Sequence, residues 1–136
     1  MKLMQLVYCS RPFGYSLEIL SAILVASRAN NRKNDITGAL ICRSDIFLQL
    51  LEGPEQQVKN TYEAIQNDDR HIDVYHLIDQ PVEKRLFPAW AMKDDPVKTW
   101  MWSREDVSKG IVKGLSKAEV EEVFVKLSRE ATIFNF

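Results

Sequence analysis

The succession of apolar segments in this 136-residue chain predicts an α+β fold. The expected form is a ferredoxin-like β-α-β-β-α-β(-β) sheet with two helices on one face and C-terminal cap helices on the other. Three observations carry that prediction. Short runs rich in aliphatic and β-branched residues alternate with longer stretches whose apolar residues recur at helical spacing. The second and third strand-like runs are separated only by Arg43-Ser44-Asp45, whereas helix-length segments separate them from the runs on either side. An amphipathic helix is left over after the last strand, and a sheet with both helices on one face needs cover for the other.

The elements follow in order. Residues 3–10 form the first strand. Ser16 caps a helix running to about Asn31, with Leu17, Leu20, Ile23, Leu24 and Ala26 at its apolar positions. The polar run Asn30-Asn31-Arg32-Lys33-Asn34-Asp35 ends it. Residues 37–42 and 46–52 are strands joined as a hairpin. Gly53-Pro54-Glu55 opens a second helix, with Pro54 suited to its first turn. Val58, Tyr62 and Ile65 follow at helical spacing until Asn67-Asp68-Asp69 stops it. Residues 74–78 are the fourth strand and residues 89–93 a short fifth, with Pro81 and Pro88 framing the segment between. A short helix spans 104–112. Ser116-Lys117-Ala118-Glu119 is a capping box that opens a last helix carrying Val120, Val123, Phe124 and Leu127 on one stripe. The chain thus divides into a sheet domain, 1–93, and a helical cap, 94–136, within one structural unit.

Composition narrows the function classes. Hydrophobic content of 46% and charged content of 27% are those of an ordinary globular domain. A net charge of −1 gives no overall attraction to nucleic acid. No apolar run approaches the roughly 20 residues of a membrane span. Met1-Lys2-Leu3-Met4-Gln5 enters a strand directly, without the layout of a signal peptide. Cys9 and Cys42 are far apart and suggest neither a zinc site nor a disulfide framework, while His71 and His76 are too few for a metal site. The expected location is the reducing cytoplasm.

Two polar residues stand inside apolar strands: Tyr8 in Leu6-Val7-Tyr8-Cys9, and Gln49 in Phe47-Leu48-Gln49-Leu50-Leu51. An unmet amide in apolar surroundings costs roughly 1–3 kcal/mol, so Gln49 needs a partner. Strand alternation puts Leu6 with Tyr8 on one face, Phe47 with Gln49 and Leu51 on one face, and Trp90 with Met92 on one face. Helical spacing puts Ile23, Ser27 and Asn31 on one stripe. Brought together, these side chains would enclose an uncharged pocket that suits a flat heterocycle with imide-like edges, because a carboxamide both donates and accepts. Each residue also has a plainer reading. Tyr8, Trp90 and Met92 serve equally as core, Ser27 as a group bonded to its own helix, Asn31 as a helix terminator, and Arg70 with His71 as a solvated turn. The charged run 109–129 reads as a solvated helix face.

The ordered set of motifs resembles the BLUF domains, blue-light sensors that hold a flavin without a covalent bond. The matching pieces are Tyr8, Asn31 followed by Ile36-Thr37-Gly38, the run Phe47-Leu48-Gln49-Leu50-Leu51-Glu52-Gly53, then Asp68-Asp69-Arg70-His71, and Phe87-Pro88-Ala89-Trp90-Ala91-Met92. The resemblance covers residues 3–93. The tail after Lys93 resembles the helical cap of short, stand-alone members.

The resemblance implies a flavin lying between the first two helices. FAD is the family's usual choice, with FMN and riboflavin as alternatives. Asn31 would hydrogen-bond the ring's carbonyl and imide edge, and Gln49 would bridge Tyr8 to the ring. Ile23, Ser27, Asn30, Ile65, Asp68, Arg70 and His71 complete the implied contacts. Tyr8 would give an electron and a proton, and the amide of Gln49 would rewire its hydrogen bonds. Trp90 and Met92, on a strand expected beside Gln49, would carry the change to the cap and so to a downstream effector protein in trans. No enzymatic turnover is implied. A homo-oligomer, dimer or larger, is implied as well, with the aromatic tail Ile133-Phe134-Asn135-Phe136 offering apolar surface. Two readings compete: a chromophore-free ferredoxin-like regulatory module binding a small metabolite, and an acyl-phosphate hydrolase on the same fold. The hydrolase lacks an arginine in a glycine-rich anion loop and any evident nucleophile–base pair.

Overall fold

The computed structural model describes residues 2–12, 18, 22, 25, 29, 31–43, 45–68, 71–87, 90–94, 102–129 and 134–135. Six strands form one sheet: β1 (Leu3–Pro12), β2 (Thr37–Arg43), β3 (Ile46–Pro54), β4 (His71–Val82), β5 (Trp90–Asp94) and β6 (Phe134–Asn135). Their order is β4-β1-β3-β2-β5-β6. The first four strands are antiparallel neighbours in the ferredoxin-like order, and β5 adds in parallel beside β2.

Alternation along β1 and β3 divides the core in two. Leu6, Tyr8, Phe47 and Leu51 face one side, where Val58 of the Glu55–Gln66 helix packs on them with Tyr62 and Ile65. Val7, Cys9, Leu48 and Leu50 face the other side, covered by Val120, Phe124 and Leu127 of the Lys117–Ser128 helix. That last helix opens on the expected capping box. The Ser116 side chain accepts from the Glu119 N–H, and the Glu119 carboxylate accepts from the Ser116 N–H.

Several boundaries differ from those expected. The fourth strand is longer, His71–Val82, because β1 offers it a partner along its whole length. Its pairing shifts register between Cys9 and Arg11, where Asp73 takes a left-handed φ of 52° that aspartate tolerates. Pro81 is admitted because β4 is an edge strand. Pro54 precedes the helix as its N-cap residue instead of lying in the first turn. The short helix covers only Arg104–Ser108, and a separate 3₁₀ turn spans Val112–Gly114. Gly110, with a φ of 85°, breaks the two apart. Phe134 and Asn135 pair with Met92 and Ala91, so part of the tail belongs to the sheet. Of the first helix, Glu18, Ala22, Val25, Ala29 and residues 31–33 are described and are helical.

Candidate functional site

The site is built where β1 and β3 cross the face covered by the Glu55–Gln66 helix. Tyr8 pairs with Gln49, Gln49 with Leu40, and Leu40 with Met92, so one row crosses four strands. Tyr8 is fully buried and Gln49 is 4% exposed. The Tyr8 hydroxyl donates to Gln49 Oε1. The partner that a buried strand glutamine requires is therefore the phenol opposite it.

The electrostatics hold that phenol neutral. Burial pushes the Tyr8 pKa well above 10.0, and the neighbouring Tyr62 and Asp68 push it in the same direction. The Tyr62 ring lies 5.5 Å from the Tyr8 ring, and His76 lies 6.0 Å beyond Tyr62. Tyr8 thus keeps its proton and acts as a hydrogen-bond donor across the physiological range.

Asn31 approaches from the end of the first helix. The Ile36 N–H donates to the Asn31 carbonyl at 2.8 Å, and Asp35 between them has a φ of 57°. This is a Schellman closure with aspartate in the left-handed position, which explains why the polar run stops the helix there. Arg85 seals the turn, with Nη2 donating to the Asp35 carbonyl at 2.9 Å and Nη1 to the Thr37 hydroxyl at 2.7 Å. Asn31 is 4% exposed, and its Nδ2 has no hydrogen-bond partner among the described residues. Thr61 Oγ1, on the inward side of the Glu55–Gln66 helix, is likewise buried without one.

Two glycines permit these close approaches. A Cβ on Gly38 would stand 1.9 Å from the Leu50 carbonyl oxygen, and one on Gly53 would stand 2.7 Å from the Asp35 carbonyl oxygen. Thr37-Gly38 and Glu52-Gly53 are therefore points where backbone passes against backbone.

The expected site residues fall into three groups. Tyr8, Gln49 and Ile65 come together on one face, Asn31 is buried and tied through its carbonyl to Ile36 of the same cluster, and Asp68 lies near enough to act on the Tyr8 phenol. His71, Trp90 and Met92 are placed by their backbone: His71 opposite Pro12, Trp90 opposite Gly38, Met92 opposite Leu40. Ile23, Ser27, Asn30 and Arg70 lie outside the described residues. One expectation is corrected. The strand of Trp90 and Met92 adjoins β2, not the strand of Gln49, because the parallel crossover from β4 must pass to the free edge of β2. Met92 is therefore one strand further from Gln49, in the same row.

Sequence reasoning overlooked Tyr62 as a neighbour of Tyr8 and Glu52 as a buried acid. Glu52 is fully buried, and its carboxylate accepts from the Leu86 and Phe87 N–H groups and from Gln5. The available signal was a charged residue three places after Gln49 in the same apolar strand. A cavity of about 510 Å³ on the opposite side of the sheet, lined by Cys9, Arg11, Ile72 and Val112 among others, does not reach Tyr8 or Gln49.

Residues 3–93 match the BLUF family, sensors of blue light using FAD. The chain belongs to the BLUF family. It is 35% identical over 104 residues to the blue light- and temperature-regulated antirepressor BluF of Escherichia coli (strain K12), covering 76% of this chain and 25% of that protein. It is 38% identical over 74 residues to the photoactivated adenylate cyclase subunit beta of Euglena gracilis, covering 54% of this chain and 9% of that protein. The solved ground-state structure of BlsA shares the fold, with a TM-score of 0.73 at 24% identity over 94% of this chain and 89% of that one. The chain spans a quarter or less of the length of those two curated relatives.

As a BLUF chain it is a flavin-based blue-light sensor with FAD as its cofactor. The unpartnered Asn31 Nδ2 fits that cofactor, since a buried amide donor matches a ring carbonyl acceptor. A chromophore-free module is not favoured. No helix among the described residues is long and apolar enough to cross a membrane, and no cluster of His, Cys, Asp or Glu among them is placed to hold a metal ion.

Proposed function

We propose that this BLUF chain senses blue light by rearranging the Tyr8–Gln49 hydrogen bond and passes the change to a separate effector protein. The observation that carries the reading is the buried phenol donating to a buried carboxamide in a row shared by both strands. Asn31 would hold the ring of FAD through its amide, with Ile23, Ser27, Asn30, Ile65, Asp68, Arg70 and His71 as further contacts. When bound, that group supplies absorption of blue light and, once excited, an acceptor for an electron and a proton.

Tyr8 is the donor in this mechanism. A phenol is oxidisable, and its pKa, raised by burial, keeps the proton in place until the electron leaves. Gln49 is the switch, because an amide exchanges donor and acceptor by rotating or tautomerising before the backbone responds. Once Tyr8 has recovered its electron and proton, the rearranged amide persists and relaxes in the dark. No substrate is turned over, so the chain is a sensor and not an enzyme.

The output runs through β5. Met92 extends the row of Tyr8 and Gln49, Trp90 stands two residues away opposite Gly38, and β5 precedes the Lys117–Ser128 helix that packs on the sheet. The chain acts as a homo-oligomer. It works in the cytoplasm, a setting in keeping with the buried free thiol of Cys9. Hydrogen exchange in the dark and in blue light tests the output. Light-dependent protection changes beyond residue 93 support the proposal, and changes confined to residues before it contradict it.

A further inference from the structure

β1 and β3 bring a second polar pair together. Three residues before Tyr8 and three after Gln49, Gln5 stands opposite Glu52. The odd offset turns this pair to the other face of the sheet, under the Lys117–Ser128 helix. There a hydrogen-bonded chain crosses the sheet. Gln5 Nε2 donates to Glu52 Oε2 at 3.1 Å, and Gln80 Nε2 donates to Gln5 Oε1 at 2.9 Å and to Glu121 Oε1 at 3.0 Å. Carboxylates only accept, so Glu52 and Glu121 at the two ends fix which way every amide between them points.

Glu52 also holds the bend before β5. Its carboxylate accepts from the Leu86 N–H at 2.8 Å and the Phe87 N–H at 2.8 Å, and the Phe87 ring meets Phe124 of the helix edge-on at 6.5 Å. A cavity of about 390 Å³, lined by Gln5, Gln80, Leu86, Glu121 and Val125, borders the chain. The polar link thus ties the helix to the sheet beside the packed residues Val120, Phe124 and Leu127.

We propose that the row Glu52–Gln5–Gln80 transmits the state of the Tyr8–Gln49 pair across the sheet to the Lys117–Ser128 helix, with Glu52 as its positioning residue. The inference rests on the light-sensing reading above. Both pairs lie on the same two strands at equal offsets, so any slip or twist of β1 against β3 at one pair arrives at the other. Apolar contacts absorb a small slip, whereas a directional hydrogen-bond chain that begins at a buried carboxylate loses a bond. Glu121 then passes the displacement to the helix without any residue passing through the sheet. This route runs through side chains, beside the covalent path through β5.

Gln80→Leu removes both bonds of the half-buried edge residue, Glu121→Ala removes the helix end of the link, and Glu121→Gln keeps an acceptor there. The experiment records the light-minus-dark absorption spectrum and the hydrogen exchange of residues 117–128 in the full chain carrying FAD. Expected are a spectral shift and dark reversal unchanged in all three, a reduced light–dark exchange difference in Gln80→Leu and Glu121→Ala, and its return to full size in Glu121→Gln. A merely structural bond would raise exchange equally in dark and light. Retention of the unsubstituted chain's light–dark difference in Gln80→Leu and Glu121→Ala overturns the inference. Absence of any spectral shift in the unsubstituted chain would instead remove the light-sensing reading, and the inference with it.

Discussion

Tyr8 and Gln49 stand directly opposite each other on β1 and β3, and the Tyr8 hydroxyl donates to the Gln49 side-chain carbonyl. The bond joins the two side chains that the proposed photochemistry needs. Tyr8→Phe and Gln49→Leu each remove one partner while keeping the side-chain volume. Both variants should retain bound FAD and lose the reversible spectral shift. Tyr8→Phe also leaves the Gln49 amide short of its donor, a cost of roughly 1–3 kcal/mol in a urea titration.

Asn31 presents a buried amide donor with no partner among the described residues. Asn31→Ala should weaken FAD binding by roughly tenfold, the value of one hydrogen bond of about 1.4 kcal/mol. The Kd from fluorescence titration of the apoprotein measures it. Unchanged affinity would show that Asn31 merely ends its helix.

Gly38 marks a close backbone approach between β2 and β3. In Gly38→Ala the new Cβ would meet the Leu50 carbonyl oxygen at 1.9 Å, and the positive φ of 152° compounds the clash. A loss of at least about 1–3 kcal/mol is expected, with β2 and β3 forced apart. Denaturant midpoints at unchanged m-value would report it.

Alkaline pH should expose the burial of Tyr8. Its folded pKa lies well above the ordinary 10.0, so the unfolded chain loses the phenolic proton first. The unfolded state then binds fewer protons than the folded state, and stability falls as pH rises past that value. Below it the contribution is fully present. Cys9, pushed up to about 11 by burial, adds a loss of the same sign that begins near its ordinary 9.0. Urea midpoints followed from neutral to strongly alkaline pH should begin to decline near pH 9 and fall further above about pH 10, the second fall being smaller in Tyr8→Phe.

The strand periodicity made the two faces of the sheet legible, and the capping box at Ser116 located the last helix to the residue. Gln49 was legible as a site residue because a carboxamide in an apolar strand demands an explanation. What escaped depended on neighbours distant in the chain. β5 sits beside β2 through a crossover that leaves no local mark, so the one-strand separation of Met92 from Gln49 could not be read. Tyr62 looked like any apolar helix position until packing set it 5.5 Å from Tyr8. Glu52 looked like the polar end of a strand, whereas the bend at 86–87 folds over it and supplies backbone donors. The extension of β4 through Pro81 was hidden because only its edge position makes proline acceptable there.

The measurement that bears most directly on the Tyr8–Gln49 switch is the light-minus-dark absorption spectrum of the purified chain carrying FAD. The account predicts a flavin band that moves to longer wavelength in blue light and returns in the dark. A bound flavin whose spectrum ignores blue light, or bleaches without shifting, would contradict it.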